Sequence, residues 1–265
     1  MAVVDVSFIS HALKRQVSFK ALIPTDYTFR PDLPETPFQT APAPTLYLLH
    51  GFTGCSTDFL YGSSIFQLAL QHNIAVVMPN GENAFYLEDR EKGEDYSRFV
   101  GKELVDFTRS MFRLSDRRED TFIGGMSMGG YGALITALRY PDTFGKVMSV
   151  SGAYVALEFA DQKRYIPDFN SSEAYQRTFF GDVETMRQRD VDPRFCIEEL
   201  RRQGKALPEI YFACGEQDFM IAQNRKLHQY MEENGVNHVY YEGEGAHDWN
   251  YWNPHLTRAL EWMVR

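Results

Sequence analysis

The chain has 265 residues, 44% of them hydrophobic, which is enough for one large α/β domain with a sizeable buried core. Its 36 acidic residues outweigh 27 basic ones, giving a net charge of -9, and no lysine- or arginine-rich stretch supplies the basic footprint that a nucleic-acid partner requires. The three cysteines, Cys55, Cys196 and Cys214, are widely spaced and form no C-x-x-C pair, so neither a disulfide framework nor a zinc site is expected.

The chain opens with MAVVDVSFISHALKRQ, which has no basic segment ahead of a long apolar run and no small-residue cleavage site. No later run approaches the roughly 18 apolar residues of a membrane span. The expectation is a cytoplasmic protein with no membrane partner. Residues 3–23 alternate apolar and polar positions on either side of a short break, and predict an N-terminal antiparallel hairpin. A connector follows in which Pro31, Pro34, Pro37, Pro42 and Pro44 keep the chain extended and exposed. It ends at TLYLLH, a compact apolar run that reads as a buried strand up to His50.

From there strands and helices alternate. Strands are expected at 73–79, 119–125, 145–152, 208–215 and 237–243, with helices near 95–112, after Ser127, at about 219–234 and from Pro254, the last with Asn253 as its N-cap. This order predicts a doubly wound, mostly parallel sheet with helices on both faces. Residues of about 153–207 are far longer than a minimal crossover, and their aromatics, from Tyr154 and Phe159 to Phe169, Phe179 and Phe180, are mixed with many charges. The segment is either a cap or an ordinary helical insertion packed on the sheet edge. The carboxylate-rich stretch LEDREKGEDYSR is interleaved with lysine and arginine, and reads as a solvated surface rather than a metal loop.

One motif carries chemistry. Gly125-Met126-Ser127-Met128-Gly129 matches G-x-S-x-G between a predicted strand and a predicted helix, the context in which a sharp turn lifts a serine hydroxyl above the sheet. Gly125, Gly129 and Gly130 remove side chains that would meet neighbouring backbone, and the helix start directs positive dipole at an attacking oxygen. A serine hydroxyl is a poor nucleophile until a base takes its proton, so a histidine held by a carboxylate should follow in the order Ser, acid, His. Of the seven histidines, His247 sits in the glycine-rich loop GEGAHDW after the last strand. His11 and His50 precede the serine, and His72, His228, His238 and His255 fall on predicted helices or strands.

The acid should follow the preceding strand, where Asp218 lies three residues beyond Gly215. Asp190 and Asp192 fall in the long insertion, and Asp248 and Glu216 read as surface or loop-ordering carboxylates. The oxyanion needs two amide donors, for which the candidates are Met128, after the nucleophile, and Phe52 in the turn HGFTG, with Gly51 and Gly54 allowing that turn. His50 reads as structural, bonded within the loop. Trp249, Tyr251 and Trp252 follow the histidine and either line a substrate wall or pack the last helix. Cys55 lies close to the oxyanion turn, as a pocket residue or a small buried side chain.

With LLHGFTG, EDYSRFVGKELVDFTR, FIGGMSMGGYGAL, ACGEQDF and GAHDWNYW in place, the chain resembles the esterase D-like branch of the α/β-hydrolases over nearly its whole length. That group includes tributyrin-type, acetyl and feruloyl esterases and S-formylglutathione hydrolases. The resemblance implies a cofactor-free serine esterase, metal-free and forming one domain over 1–265, with Ser127, Asp218 and His247 as triad and Phe52 and Met128 as oxyanion donors. HDWNYW looks more like the tributyrin and acetyl branch than the formylglutathione hydrolases. A thioesterase or an acyltransferase using the same acyl-enzyme is the alternative. Relatives are often dimers or larger, and the N-terminal hairpin offers an edge for such pairing.

Overall fold

The computed structural model describes residues 1–25, 41–166 and 172–265. Pro31, Pro34 and Pro37 of the expected connector, and Phe169 of the insertion, lie outside the described residues. In chain order the elements are β1 (Ala2–Ser10), β2 (Arg15–Ile23), β3 (Thr45–Leu49), α1 (Asp58–Gly62), α2 (Ile65–His72), β4 (Ala75–Pro79), β5 (Glu88–Asp89) and β6 (Glu94–Asp95). A helical stretch follows, made of α3 (Tyr96–Arg98), a π-helical turn (Phe99–Glu103) and α4 (Leu104–Met111). Then come β7 (Thr121–Met126), α5 (Met128–Arg139), β8 (Lys146–Val150), α6 (Val155–Gln162), α7 (Glu173–Phe180) and α8 (Pro193–Arg202). The chain closes with β9 (Glu209–Gly215), α9 (Ile221–Glu233), β10 (His238–Gly243) and α10 (Trp249–Met263).

Among the described residues, eight strands form one sheet in the order β1-β2-β4-β3-β7-β8-β9-β10. β1 and β2 pair antiparallel, β2 pairs antiparallel with β4, and every later pairing is parallel. The expected hairpin and mostly parallel sheet are therefore both present. β3, β4 and β7 are buried along their whole length, as strands covered on both faces must be, which is why TLYLL and AVVMP read as continuous apolar runs.

Strand alternation splits the core in two. Tyr47, Leu49, Val77 and Ile123 join one cluster with residues of α4, α5, α6, α8 and α9. Leu46, Leu48, Val76, Phe122, Met148 and Val150 join the other, closed by α2 and α10. The site's elements are thus held between two packed layers. Among the described residues, no helix is long and apolar enough to cross a membrane.

The stretch LEDREKGEDYSR folds back as the β5–β6 hairpin, and the buried Asp89 accepts from the amides of Glu91 and Lys92, which orders its turn. Within the long insertion, Tyr131 Oη on α5 donates to Val191 O at 2.7 Å, and Arg194 on α8 bridges Asp192 and Asp161. The Tyr131 bond fastens the segment to the body of the domain, and the Arg194 bridge ties α6 to α8 within it.

The last helix begins earlier than expected. Its N-cap is Asp248, whose carboxylate accepts from the amides of Asn250 and Tyr251, and Pro254 stands inside the helix. Asn253 is a helical residue that donates from Nδ2 to Gly62 O at 3.0 Å. Asn-Pro imitates a helix start, but a proline within the second turn removes only one intrahelical bond, and the cap geometry at Asp248 outweighs it.

Candidate active site

The turn from β7 to α5 sets the site. Ser127 has φ 54° and ψ -121°, a conformation that a non-glycine residue holds only when its surroundings enforce it. They do so by close packing: a Cβ on Gly129 would stand 2.1 Å from Leu49 O, and one on Gly125 would stand 2.5 Å from the Gly129 backbone. The glycines therefore let the end of β3 press directly against the start of α5. The first amide of this helix start to find a carbonyl is Tyr131 N–H, which donates to Ser127 O at 3.1 Å. Among the described residues no backbone carbonyl accepts from the amides of Met128, Gly129 and Gly130, as is usual in the first turn of a helix.

Three side chains from three connections meet here. Ser127 Oγ lies 3.0 Å from His247 Nε2, and His247 Nδ1 lies 2.9 Å from both carboxylate oxygens of Asp218. A carboxylate can only accept, so Nδ1 carries the ring proton and Nε2 is left to accept from the serine hydroxyl. Asp218 is 2% exposed. Burial alone would raise its pKa, but hydrogen bonds from His247, from Ser151 and from the Met220 amide hold the carboxyl below its ordinary range. The arrangement can take a proton from Ser127 and stabilise the imidazolium that results.

The turn after β3 lies beside the serine: a Cβ on Gly51 would meet Ser127 Cβ at 3.5 Å. Asparagines fasten this turn, with Asn83 Oδ1 accepting from the Thr53 amide and Asn80 Oδ1 from the Ser56 amide, both at 2.8 Å. The left-handed residue is Thr53, with φ 65°, and Gly54 leaves the turn its room, since a Cβ there would stand 2.1 Å from Asp58 Oδ2 and 3.0 Å from Gly51 O. Phe52 N–H donates to no acceptor among the described residues. His50 bonds Gly51 O through Nδ1 and accepts from the Gly81 amide at Nε2. Burial lowers its pKa, which suits a neutral ring in that role.

The aromatics divide. Tyr251 is buried and stacks on His255 at 4.4 Å, so it packs the helix. Trp249 packs edge-on against Phe59, and Trp252 stands edge-on to the His247 ring at 5.0 Å. Cys55 is exposed, with Sγ 3.0 Å from Thr57 Oγ1. This corrects the buried reading: the thiol stands exposed beside the polar Thr57 Oγ1 and Asp58 Oδ1 instead of packing in the core. Two residues escaped the sequence reading. Phe219, 68% exposed, sets its ring 4.4 Å from that of His247, and only its position beside Asp218 could have signalled it. Ser151 is hidden in the ordinary run SVSGAY.

The Esterase family model matches residues 10–263. The chain belongs to the Esterase family. This esterase is 39% identical over 269 residues to the acetyl esterase of Caldicellulosiruptor saccharolyticus, covering 100% of this chain and 99% of the relative. It is 27% identical to the S-formylglutathione hydrolase of Bos taurus, over 77% of this chain and 79% of that one. Among solved structures, the Staphylococcus aureus fluorophosphonate-binding serine hydrolase FphF, in its substrate-bound form, superposes with a TM-score of 0.84 at 28% identity, covering 100% of this chain and 98% of that one. The esterase is thus a carboxylic ester hydrolase of the α/β-hydrolase fold, in the esterase D-like group.

Proposed function

We propose that the protein is a serine carboxylesterase for short-chain or aryl carboxylic esters, with Ser127 as nucleophile, His247 as general base and acid, and Asp218 as the orienting carboxylate. The observation that carries this reading is the unbroken contact from Ser127 Oγ through the His247 ring to Asp218, at 3.0 and 2.9 Å. His247 Nε2 takes the serine proton as Oγ adds to the ester carbonyl. The amides of Met128 and Phe52 donate to the oxyanion, and each such donor contributes about 2.7 to 4 kcal/mol. His247 then protonates the departing alkoxide, and water repeats the cycle on the acyl-enzyme. No cofactor or metal enters this scheme.

In this reading residues 1–265 act as one domain, and the segment 153–207 roofs the site through α7. Its Tyr175 places a ring 6.1 Å from Phe52 and donates its hydroxyl to Asn83 O. Trp249, Trp252 and Cys55 are the nearby side chains offered to the substrate. The likeness to the acetyl esterase of Caldicellulosiruptor saccharolyticus favours a small acyl group. The test is hydrolysis of p-nitrophenyl esters from acetate to octanoate, plus a ferulate ester, by wild type and Ser127→Ala. Turnover of acetate with a dead variant supports the reading, and equal turnover by both proteins overturns it.

A second reading, a thioesterase acting on S-formylglutathione, is favoured by the likeness to the Bos taurus enzyme. A kcat/KM for S-formylglutathione well above that for p-nitrophenyl acetate would select it.

A further inference from the structure

Residues Gly51 to Gly54 form a β-turn, closed by the Gly54 amide donating to Gly51 O at 3.1 Å. Thr53 has φ 65°, whereas Phe52 before it is not left-handed. Positive φ at the third residue alone makes this a type II turn, which favours glycine at that place. The place is held by threonine, whose branched Cβ makes a positive φ an outlier. Such strain persists only where the surroundings impose it. The relaxed alternative is a type I turn, in which the peptide between Phe52 and Thr53 is turned over and Thr53 returns to negative φ.

The restraint comes from the loop after β4. Asn83 Oδ1 accepts from the Thr53 amide at 2.8 Å, and that N–H belongs to the peptide that would turn over. The loop is itself docked on the end of β3: the Gly81 amide donates to His50 Nε2 at 2.8 Å, and the buried Tyr86 donates its hydroxyl to His50 O at 3.1 Å. From the other side, Asn83 O accepts from the Tyr175 hydroxyl of α7. Asn83 is exposed to solvent, so its side chain fills no part of the core.

We propose that Asn83 is a positioning residue that keeps the turn after β3 in its strained type II form and so preorganises the Phe52 amide for the oxyanion. The inference rests on the serine esterase reading above, with Phe52 N–H as a donor. An oxyanion donor acts on charge that develops only in the transition state, so its aim governs kcat and leaves substrate binding unchanged. Acylation and deacylation each pass through an oxyanion, so kcat falls whichever of them limits turnover. Without the Asn83 acceptor the peptide turns over for part of the time, and Phe52 loses its fixed place.

The experiment is steady-state hydrolysis of p-nitrophenyl acetate by wild type, Asn83→Ala, Thr53→Gly and the double variant, with circular dichroism confirming that each is folded. Asn83→Ala is expected to lower kcat about fivefold, the size of one net hydrogen bond, with KM changed by less than about twofold. Inhibition by a trifluoromethyl ketone, whose adduct with a serine carries the same oxyanion, should weaken by about the same factor. Glycine takes positive φ without strain, so in the Thr53→Gly background the loss of Asn83 should cost less than about twofold. A general loosening of the loop would cost the same in both backgrounds. An unchanged kcat in folded Asn83→Ala, or an equal loss in the two backgrounds, overturns the inference. If Asn83→Ala does not fold, Asn83→Gln, whose amide is displaced by one methylene, is compared in the same two backgrounds and decides in the same way. Full activity of Ser127→Ala would instead remove the esterase reading beneath it, so the two failures are distinguishable.

Discussion

Ser127 Oγ and His247 Nε2, 120 residues apart in sequence, lie 3.0 Å from each other. If this contact activates the nucleophile, Ser127→Ala and His247→Ala each lower kcat by about 10⁶-fold, and the double variant is no slower than either single one, because residues acting as a unit are not additive. Steady-state rates on p-nitrophenyl acetate, with fluorophosphonate labelling lost in Ser127→Ala, check this.

Asp218→Asn preserves shape but reverses the hydrogen bond to His247 Nδ1. An amide N–H facing Nδ1 forces the ring proton onto Nε2, where it points at Ser127 and blocks the base. The expected loss is about 10⁴-fold in kcat with unchanged secondary structure. A loss below tenfold would remove Asp218 from the mechanism and reopen the choice of acid.

Gly129→Ala places a Cβ 2.1 Å from Leu49 O and 2.6 Å from His50 O, both backbone atoms that cannot step aside. Separating β3 from α5 is expected to cost about 3 kcal/mol or more in denaturant unfolding. Gly243→Ala, where nothing lies within 4 Å, serves as the control and stays within about 1 kcal/mol.

His255 is buried against Tyr211 and Tyr251. Burial, then the nearby Arg258 cation, lowers its pKa from 6.5 to about 4. Between those values the unfolded chain binds the proton and the folded one does not, so the contribution to stability falls as pH drops from 6.5 to 4 and levels off below. His255→Gln removes that slope. Melting temperatures of wild type and variant should converge across this window on acidification, and parallel curves would show that the ring charges without cost.

The strands along the chain and the strained turn at Ser127 were legible because each rests on local chemistry. Continuous apolar runs mark doubly covered strands, and G-x-S-x-G between a strand and a helix marks a strained turn whatever surrounds it. His247 and Asp218 were legible one step less directly, through their places after the last two strands. Asn253-Pro254 misled because a helix start is decided by which side chain reaches the free amides, and Asp248 reaches them first. Cys55 misled because free cysteines are usually buried, whereas here the thiol stands exposed beside Thr57 Oγ1 and Asp58 Oδ1.

What the sequence determined by itself was therefore the set of elements, their layering and the three side chains that meet at the candidate site. The tertiary structure alone decided the contacts that cross between connections: Trp252 onto Ser151, Phe219 over His247, and Leu49 against Gly129. Such contacts join residues distant in the chain through shape and hydrogen-bond direction, and no local pattern of residue types encodes either.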